Sequence, residues 1–564
     1  MNNRLVAMLL GCMFVLAVLL RFTSLSDYPV GFHIDEASLG YNGYSLLKTG
    51  KDENNHRFPL YVDMFGDNRP SGYHYLTVLP VAVFGLNEFA TRFPGALFGS
   101  LTVFAMFFLV YTIFKEKRIA LLATLLLTIS PWHVGLSRAS AEAVVALFFI
   151  FIGFGSIIRS ITSKNALWLI PGSICVSFSF FFYHTPRVFV PLLLLSLALM
   201  FIRTWTSYGK KYIAAFVAAV ILPCLLALFL VFLIKGGTGR FSQVNIFTFP
   251  ETRLVLEEQI REDGTLGIPA KVTRMIHNKI SNYGQTFVTN YFEYFTGQFL
   301  FLKGGKPVWY QIPNMGLLYL IELPFIIAGF VYLMSQKKIL AFVPLVWMLV
   351  APMTASITTD DVPNINRVIV LFPIFEIYAT VGFFALLDAI PKRYKLGGVA
   401  LVVFALLINT GYFYHQYVVH GKTHTTQFRF NGFKELVLTL NAENPTSYDS
   451  IIVTKTQGGI YPHFLFFTKY DPATYQKDGS QKDKNYQGFG PYIFVPQYCP
   501  SVDKDDHFPK VKRPIFVDHG SCKVNPLYKS KAIYREDGTK AFTIVYPEII
   551  APAATPSGEP VILH

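Results

Sequence analysis

FPGALFGSLTVFAMFFLVYTI, residues 93–113, carries no Asp, Glu, Lys, Arg or His in 21 positions. As an α-helix it would extend about 31 Å, the thickness of a bilayer's hydrocarbon core. Comparable apolar stretches lie at about 5–22, 118–132, 141–158, 165–182, 187–202, 213–234, 314–334, 339–351, 367–388 and 397–414, so the sequence predicts eleven crossings. The composition agrees: 52% of residues are hydrophobic and 15% are charged, against about 25% charged in a soluble domain. Leu5–Leu20 resembles a signal peptide but lacks a small-residue cleavage pattern, so it reads as an uncleaved first span.

The charge pattern orients these spans. With the N terminus in the cytoplasm, the inner connections hold Arg4; Lys115, Lys117 and Arg118; Arg159 and Lys164; Arg203, Lys210 and Lys211; Lys337 and Lys338; and Lys392, Arg393 and Lys395. This is the positive-inside bias. The net charge of +14 is thus scattered through short turns rather than gathered in one stripe, which argues against nucleic-acid binding. Residues 77–91, with Pro80, Gly85 and Glu88, are too short to cross and read as an interfacial helix.

An odd number of crossings places loops 23–92 and 235–313, and everything after about 415, outside the cytoplasm. The expected architecture is a polytopic α-helical membrane module over 1–415 and an extracytoplasmic α/β domain over 416–564. In that domain Gly432–Leu440 reads as a helix, and Ile451–Thr454, Tyr492–Val495, Pro514–Val517 and Phe542–Tyr546 read as strands, with a turn at Gly458-Gly459. Cys499 and Cys522, 23 positions apart in an oxidising compartment, form a candidate disulfide. With only His519 nearby, they lack a zinc ligand set.

The first outer loop concentrates polar groups: His33, Asp35, Glu36, Asp52, Glu53, His56, Asp63, Asp67, Arg69 and His74. Asp52 and Glu53, in KDENNH, read as charges facing water. Asp35 and Glu36 open a stretch with helical spacing, where an Asp could cap the helix or serve as a catalytic carboxylate. Arg69, Arg92, Arg138, Arg187 and Arg367 each fall at an outer membrane boundary. Such a row suggests a pocket for phosphate oxygens, although single arginines there also snorkel.

HIDEASLGYNGYSLLKTG (33–50) and NRPSGYHYLTVLPVAVFGLNEFATRFPGALFGSLTV (68–103) resemble the N-terminal part of the GT-C glycosyltransferases related to protein O-mannosyltransferases and to the lipid A aminoarabinose transferase. The matching residues are Asp35 and Glu36; Arg69 and Pro70 with Tyr73 and Tyr75; and Phe84, Gly85, Glu88, Arg92 and Pro94. Farther on, SPWHVGLSRASAEAVVALFF (130–149) matches through Ser137, Arg138 and Glu142, and YHTPRVFVPLLLL (183–195) and NRVIVLFPIF (366–375) extend the likeness. Two departures stand out: Arg69 where Lys is frequent, and Glu142 where Asp is frequent.

The resemblance implies an inverting transfer of a sugar from a polyprenyl-phosphate donor to a hydroxyl on a protein, lipid or cell-envelope glycan. Asp35 would be the catalytic carboxylate, with Glu36 and Glu142 as further acidic site residues. Arg69, Tyr73, His74, Arg92, Arg138, Arg187 and Arg367 would bind donor phosphate and sugar. A divalent cation (Mg2+, Mn2+ or Ca2+) on Asp35 and Glu142 is a second way of meeting the phosphate charge. A polytopic transporter or flippase is the alternative; its charges would lie deeper, and internal repeats with broken helices would be expected. An oligosaccharyltransferase-like enzyme would imply a WWDYG-type block, which the C-terminal region lacks.

Overall fold

The structure is a computed structural model that describes residues 1–64, 67–233, 243–443, 448–455, 459–478, 487–504 and 508–549. The chain divides into two compact units: Met1–Pro29 with Phe58–Gly421, and Val30–Arg57 with Lys422–His564. The second boundary lies close to the composition change at 415. The segment Val30–Arg57, from the first outer loop, groups with the C-terminal residues.

The first unit is a helical membrane module. Among the described residues, seven helices are long and apolar enough to cross a membrane: Asn3–Phe22, Glu88–Phe114, Glu142–Ser163, Lys210–Leu230, Ile339–Ser356, Phe372–Ala389 and Lys392–His424. Two bent pairs raise the number to nine: Lys117–Ile129 with Pro131–Arg138, bent by 53°, and Pro186–Met200 with Ile202–Tyr208, bent by 70°. The expected count of eleven is therefore corrected. The stretches at 165–182 and 314–334 form the short helices Ala166–Ser179 and Leu320–Met334, each only about 21–23 Å long at 1.5 Å per residue. Ile234, at the end of one expected span, and 235–242 of the following loop lie outside the described residues.

Small residues set the closest helix contacts. A Cβ on Gly329 would overlap the Tyr378 carbonyl, and one on Gly382 would overlap that of Phe325. Helices Leu323–Met334 and Phe372–Ala389 thus meet backbone to backbone, as small residues permit in membranes. Elsewhere Trp347 packs against Phe151, Phe154 and Phe189, and its indole N–H donates to the Val370 carbonyl at 2.8 Å. Of the expected interfacial stretch 77–91, residues 77–84 lie in helix Gly72–Phe84, which exposes Leu79, Val83 and Phe84, whereas 88–91 open helix Glu88–Phe114. Strands β1 (Tyr61–Met64) and β2 (Asp67–Pro70) precede it as an antiparallel pair.

The second unit contains a six-stranded mixed sheet. Its strands are β3 (Ser450–Thr454), β4 (Gln487–Phe489), β5 (Tyr492–Val495), β6 (Pro514–His519), β7 (Tyr528–Tyr534) and β8 (Lys540–Ile549), in the order β4-β5-β3-β6-β8-β7. β3 is central and parallel to both β5 and β6, while the remaining pairs are antiparallel. Its near-continuous apolar run, Ile451 to Val453, suits a strand buried on both faces. Helices Phe433–Ala442 and Tyr461–Phe467 supply further core residues, among them Phe433, Leu436, Phe464 and Phe466. Of the expected Gly458-Gly459 turn, Gly458 lies outside the described residues.

Cys499 and Cys522 are joined in a disulfide. The link closes a loop of 23 positions, a size for which chain entropy gives roughly 3 kcal/mol of stabilisation. In the intact protein these two cysteines are expected to resist alkylation until reduced. Replacing both with Ser should lower the stability of this unit by about 3 kcal/mol in denaturant titrations.

Candidate functional site

Asp35 sits in the first turn of helix Ile34–Thr49, in the second unit. The N-cap is His33, whose Nδ1 accepts the Asp35 backbone N–H at 3.2 Å. Glu36 closes the reciprocal half of the capping box by accepting the His33 N–H at 3.0 Å. The cap therefore belongs to His33 and Glu36, which leaves the Asp35 carboxylate out of that role. Its side chain is 16% exposed, and Oδ2 lies 3.5 Å from His33 Nδ1.

Glu36 is engaged a second time. Its Oε2 forms an ion pair with Arg429, and the two side chains are 2% and 1% exposed. Arg429 Nε also donates to the Val30 carbonyl at 3.2 Å. Removing one partner of such a buried pair typically costs about 3–5 kcal/mol, because the other charge is left uncompensated. Glu36 thus has a structural occupation that its sequence neighbourhood does not reveal.

The same helix is tied to the C-terminal residues along its length. The Tyr41 hydroxyl donates to the Tyr470 carbonyl at 3.1 Å. Gln476 Nε2 reaches Ser45, Thr49 and the Asp52 carbonyl at 2.9–3.0 Å. Asp52 and Glu53 do not face water: both are buried. Asp52 accepts the backbone N–H groups of Asn54 and His56, forming a local turn, and Glu53 accepts the Tyr461 hydroxyl at 3.1 Å. Tyr461, Phe464, Phe466 and Tyr475 are core residues, whereas Phe467 and Tyr470 remain partly exposed.

In the membrane unit, Arg69 on β2 lies 3.2 Å from Asp67 and 3.9 Å from Glu142 Oε1. Glu142 occupies the first turn of helix Glu142–Ser163, where the helix dipole favours a carboxylate. His74 is fully buried, and burial followed by the charge of Arg69 pushes its imidazole down to about 3. It is therefore neutral at physiological pH. Tyr73 is a packing anchor: its hydroxyl donates to the Thr91 carbonyl and accepts the Gly95 N–H, both at 3.1 Å.

The other outer arginines each have local partners. Arg92 donates to the carbonyls of Leu25 and Ser26 at 3.0 and 3.1 Å. Arg138 donates to those of Leu20, Thr23, Ser24 and Tyr28 at 2.8–3.3 Å, closing the end of the first helix. Arg187 donates to the Phe180 carbonyl, bonds His184 Nδ1 at 2.9 Å and lies over the Tyr61 ring. Arg367 pairs with Asp360 at 3.1 Å and Thr358 at 2.9 Å. For Arg92 and Arg138, carbonyl capping is an observed use, distinct from phosphate binding.

Residues 68–227 match the family described as Dolichyl-phosphate-mannose-protein mannosyltransferase. The crystal structure of ArnT from Cupriavidus metallidurans bound to undecaprenyl phosphate superposes with a TM-score of 0.55 and 12% identity, covering 96% of this chain and 99% of that one. The chain has a GT-C-like fold. The apo form of the same ArnT gives a TM-score of 0.54 at 12% identity, covering 95% and 97% of the two chains. The apo oligosaccharyltransferase from Archaeoglobus fulgidus gives 0.45 at 14% identity, covering 83% and 64%. No curated protein matches in sequence.

Within this GT-C-like fold, sequence reasoning passed over several buried polar groups. Arg21, in the last turn of the first span, reaches His133 Nδ1 at 2.7 Å and the Thr128 carbonyl at 3.2 Å. Glu376 accepts the Trp132 indole N–H at 3.1 Å, and Glu322 is also buried. A charge interrupting an apolar run was the available signal for each. Arg429 and His463, in the C-terminal region, carried no comparable signal.

For a divalent cation, Glu142 offers an oxygen ligand, and the guanidinium of Arg69 lies 3.9 Å from it. Among the described residues, no group of three or more His, Cys, Asp or Glu side chains is arranged to hold a metal.

His463 gives the second unit a pH dependence. Its Nε2 meets the Phe32 carbonyl at 2.8 Å, and its ring packs on Phe430 and Phe433. Burial pushes the imidazole from 6.5 down to about 4. Because folding favours the neutral ring, stability is full above about pH 6.5 and is lost as pH falls toward 4, by up to roughly 3 kcal/mol. Thermal unfolding of the full chain in detergent should show this loss beginning below about pH 6.5 and continuing toward pH 4, and His463→Gln should flatten that part of the profile.

Proposed function

We propose that this chain is an inverting membrane glycosyltransferase that moves a sugar from a polyprenyl-phosphate donor to an extracytoplasmic hydroxyl. The reading is carried by the match of residues 68–227 to the dolichyl-phosphate-mannose-protein mannosyltransferase family, on a fold shared with an undecaprenyl-phosphate-bound ArnT. Both descriptions name a polyprenyl phosphate. The basic inner connections support a cytoplasmic N terminus. Seven crossings, or nine with the bent pairs, is an odd number, so with that N terminus the sheet-containing unit would lie outside the cytoplasm.

Chemically, the acceptor oxygen forms a bond to the anomeric carbon as the bond from that carbon to the phosphate oxygen breaks. The acceptor proton passes to Asp35, and the lipid leaves as a phosphate monoester. A hydroxyl is a weak nucleophile, so a positioned carboxylate assists it, whereas the phosphate needs no protonation by a second acid. Asp35 is assigned as the base from its place in the family-like motif HIDEASLGYNGYSLLKTG, at the start of a helix whose cap is supplied by His33 and Glu36. Arg69, beside Glu142, is assigned to the donor phosphate, with Arg187 and Arg367 as further candidate contacts.

Three measurements test this reading. Asp35→Asn should lower single-turnover transfer by at least about 100-fold with insertion intact, and retention of half the parent rate would remove Asp35 as the base. Arg69→Ala should weaken donor binding by ~2–5 kcal/mol, whereas Arg138→Ala should chiefly lower thermal stability because four carbonyls lose their donor. Chelation tests the expected metal, and unchanged turnover would count against it. Loss of transfer on chelation, restored by Mg2+, Mn2+ or Ca2+, would instead favour the metal expected on Asp35 and Glu142.

A further inference from the structure

We infer that Arg429 is a positioning residue for acceptor activation: through Glu36 and Val30 it mounts the helix bearing Asp35 on the C-terminal sheet unit. This rests on the assignment of Asp35 as the acceptor base. The C-terminal residues thereby contribute to the proposed chemistry from 394 positions farther along the chain than Asp35 (429 − 35).

The geometry separates positioning from simple charge compensation. Arg429 holds two points at once: Nε reaches the Val30 carbonyl, and a terminal nitrogen pairs with the Glu36 carboxylate. Those points flank His33, the N-cap. The first is on the strand of chain entering the helix, and the second is in its first turn, one residue after Asp35. A planar guanidinium can span both in a fixed fork, whereas a lysine ammonium is a single point on a flexible stem.

Gly31 completes the close approach. Its φ is +79°, and a Cβ there would lie 2.5 Å from the Arg429 carbonyl oxygen. The entering backbone therefore fits against Arg429 only with a glycine at this place. His463 holds the next residue by bonding the Phe32 carbonyl. Val30, Phe32 and Glu36 are thus fixed by two residues from the C-terminal part of the same unit, and the direction of Asp35 follows from that frame.

The test uses the full chain in lipid nanodiscs with Arg429→Lys and, from the other side of the pair, Glu36→Gln. Hydrogen exchange by mass spectrometry reads the mount, and single-turnover transfer from undecaprenyl-phosphate [3H]mannose, with separate undecaprenyl phosphate binding, reads the chemistry. Both variants should speed exchange in 30–49 by about 10-fold or more while β3 and β5 keep their protection. Transfer should fall about 10-fold with lipid-phosphate binding unchanged. Parent-like exchange and transfer in Arg429→Lys would overturn the inference. So would loss of protection throughout the sheet, which would make Arg429 a general folding residue. If transfer from this donor is undetectable, the exchange pattern alone decides the mount. Retained transfer in Asp35→Asn would instead sink the base assignment, whatever the exchange pattern.

Discussion

The buried ion pair between Glu36 and Arg429 is the constraint on which the candidate catalytic region depends. An unpaired charge in that position would be costly, so the helix start and the residues after the last membrane helix must fold together or leave one charge stranded. The capping box, the Phe32–His463 bond and the bonds of Gln476 extend this single contact into a continuous interface within one unit. A loop that follows the first membrane helix, Val30–Arg57, is consequently part of a domain completed only at β8, Lys540–Ile549.

The membrane unit solves a different problem. Backbone carbonyls at the end of a span have no helical partner and little access to water, so another donor must satisfy them. Arg138 and Arg92 supply those donors to residues 20–28 from later helices, joining the first span to the bundle. Deeper packing uses a contrary device, the removal of side chains at Gly329 and Gly382. Arg69, on β2, lies instead beside the carboxylates of Asp67 and Glu142.

The legibility of the sequence followed the range of the interactions. Long apolar runs and basic turns are local signals, and they revealed the membrane class and most helices. The two short helices at 166–179 and 320–334 were overcounted because hydropathy does not report where a helix starts. Strands in the C-terminal region were readable from short apolar runs, notably Ile451–Thr454 within β3. Asp52 and Glu53 were misread as solvated because their partners lie in backbone turns and at Tyr461, far off in sequence. Arg429 was invisible for the same reason: nothing in HTTQFRFNG announces a partner in the first outer loop.

The central claim is that a GT-C-like membrane module carries out transfer from a lipid-linked sugar. Its most direct test incubates the purified full chain in nanodiscs with polyprenyl phosphates carrying different labelled sugars, together with a cell-envelope acceptor fraction. The account predicts that, for at least one sugar, polyprenyl phosphate is released in step with label entering the acceptor, with inverted anomeric configuration. Every labelled lipid remaining chemically intact, while one of them crosses the bilayer of reconstituted vesicles, would contradict the account and identify a lipid transporter.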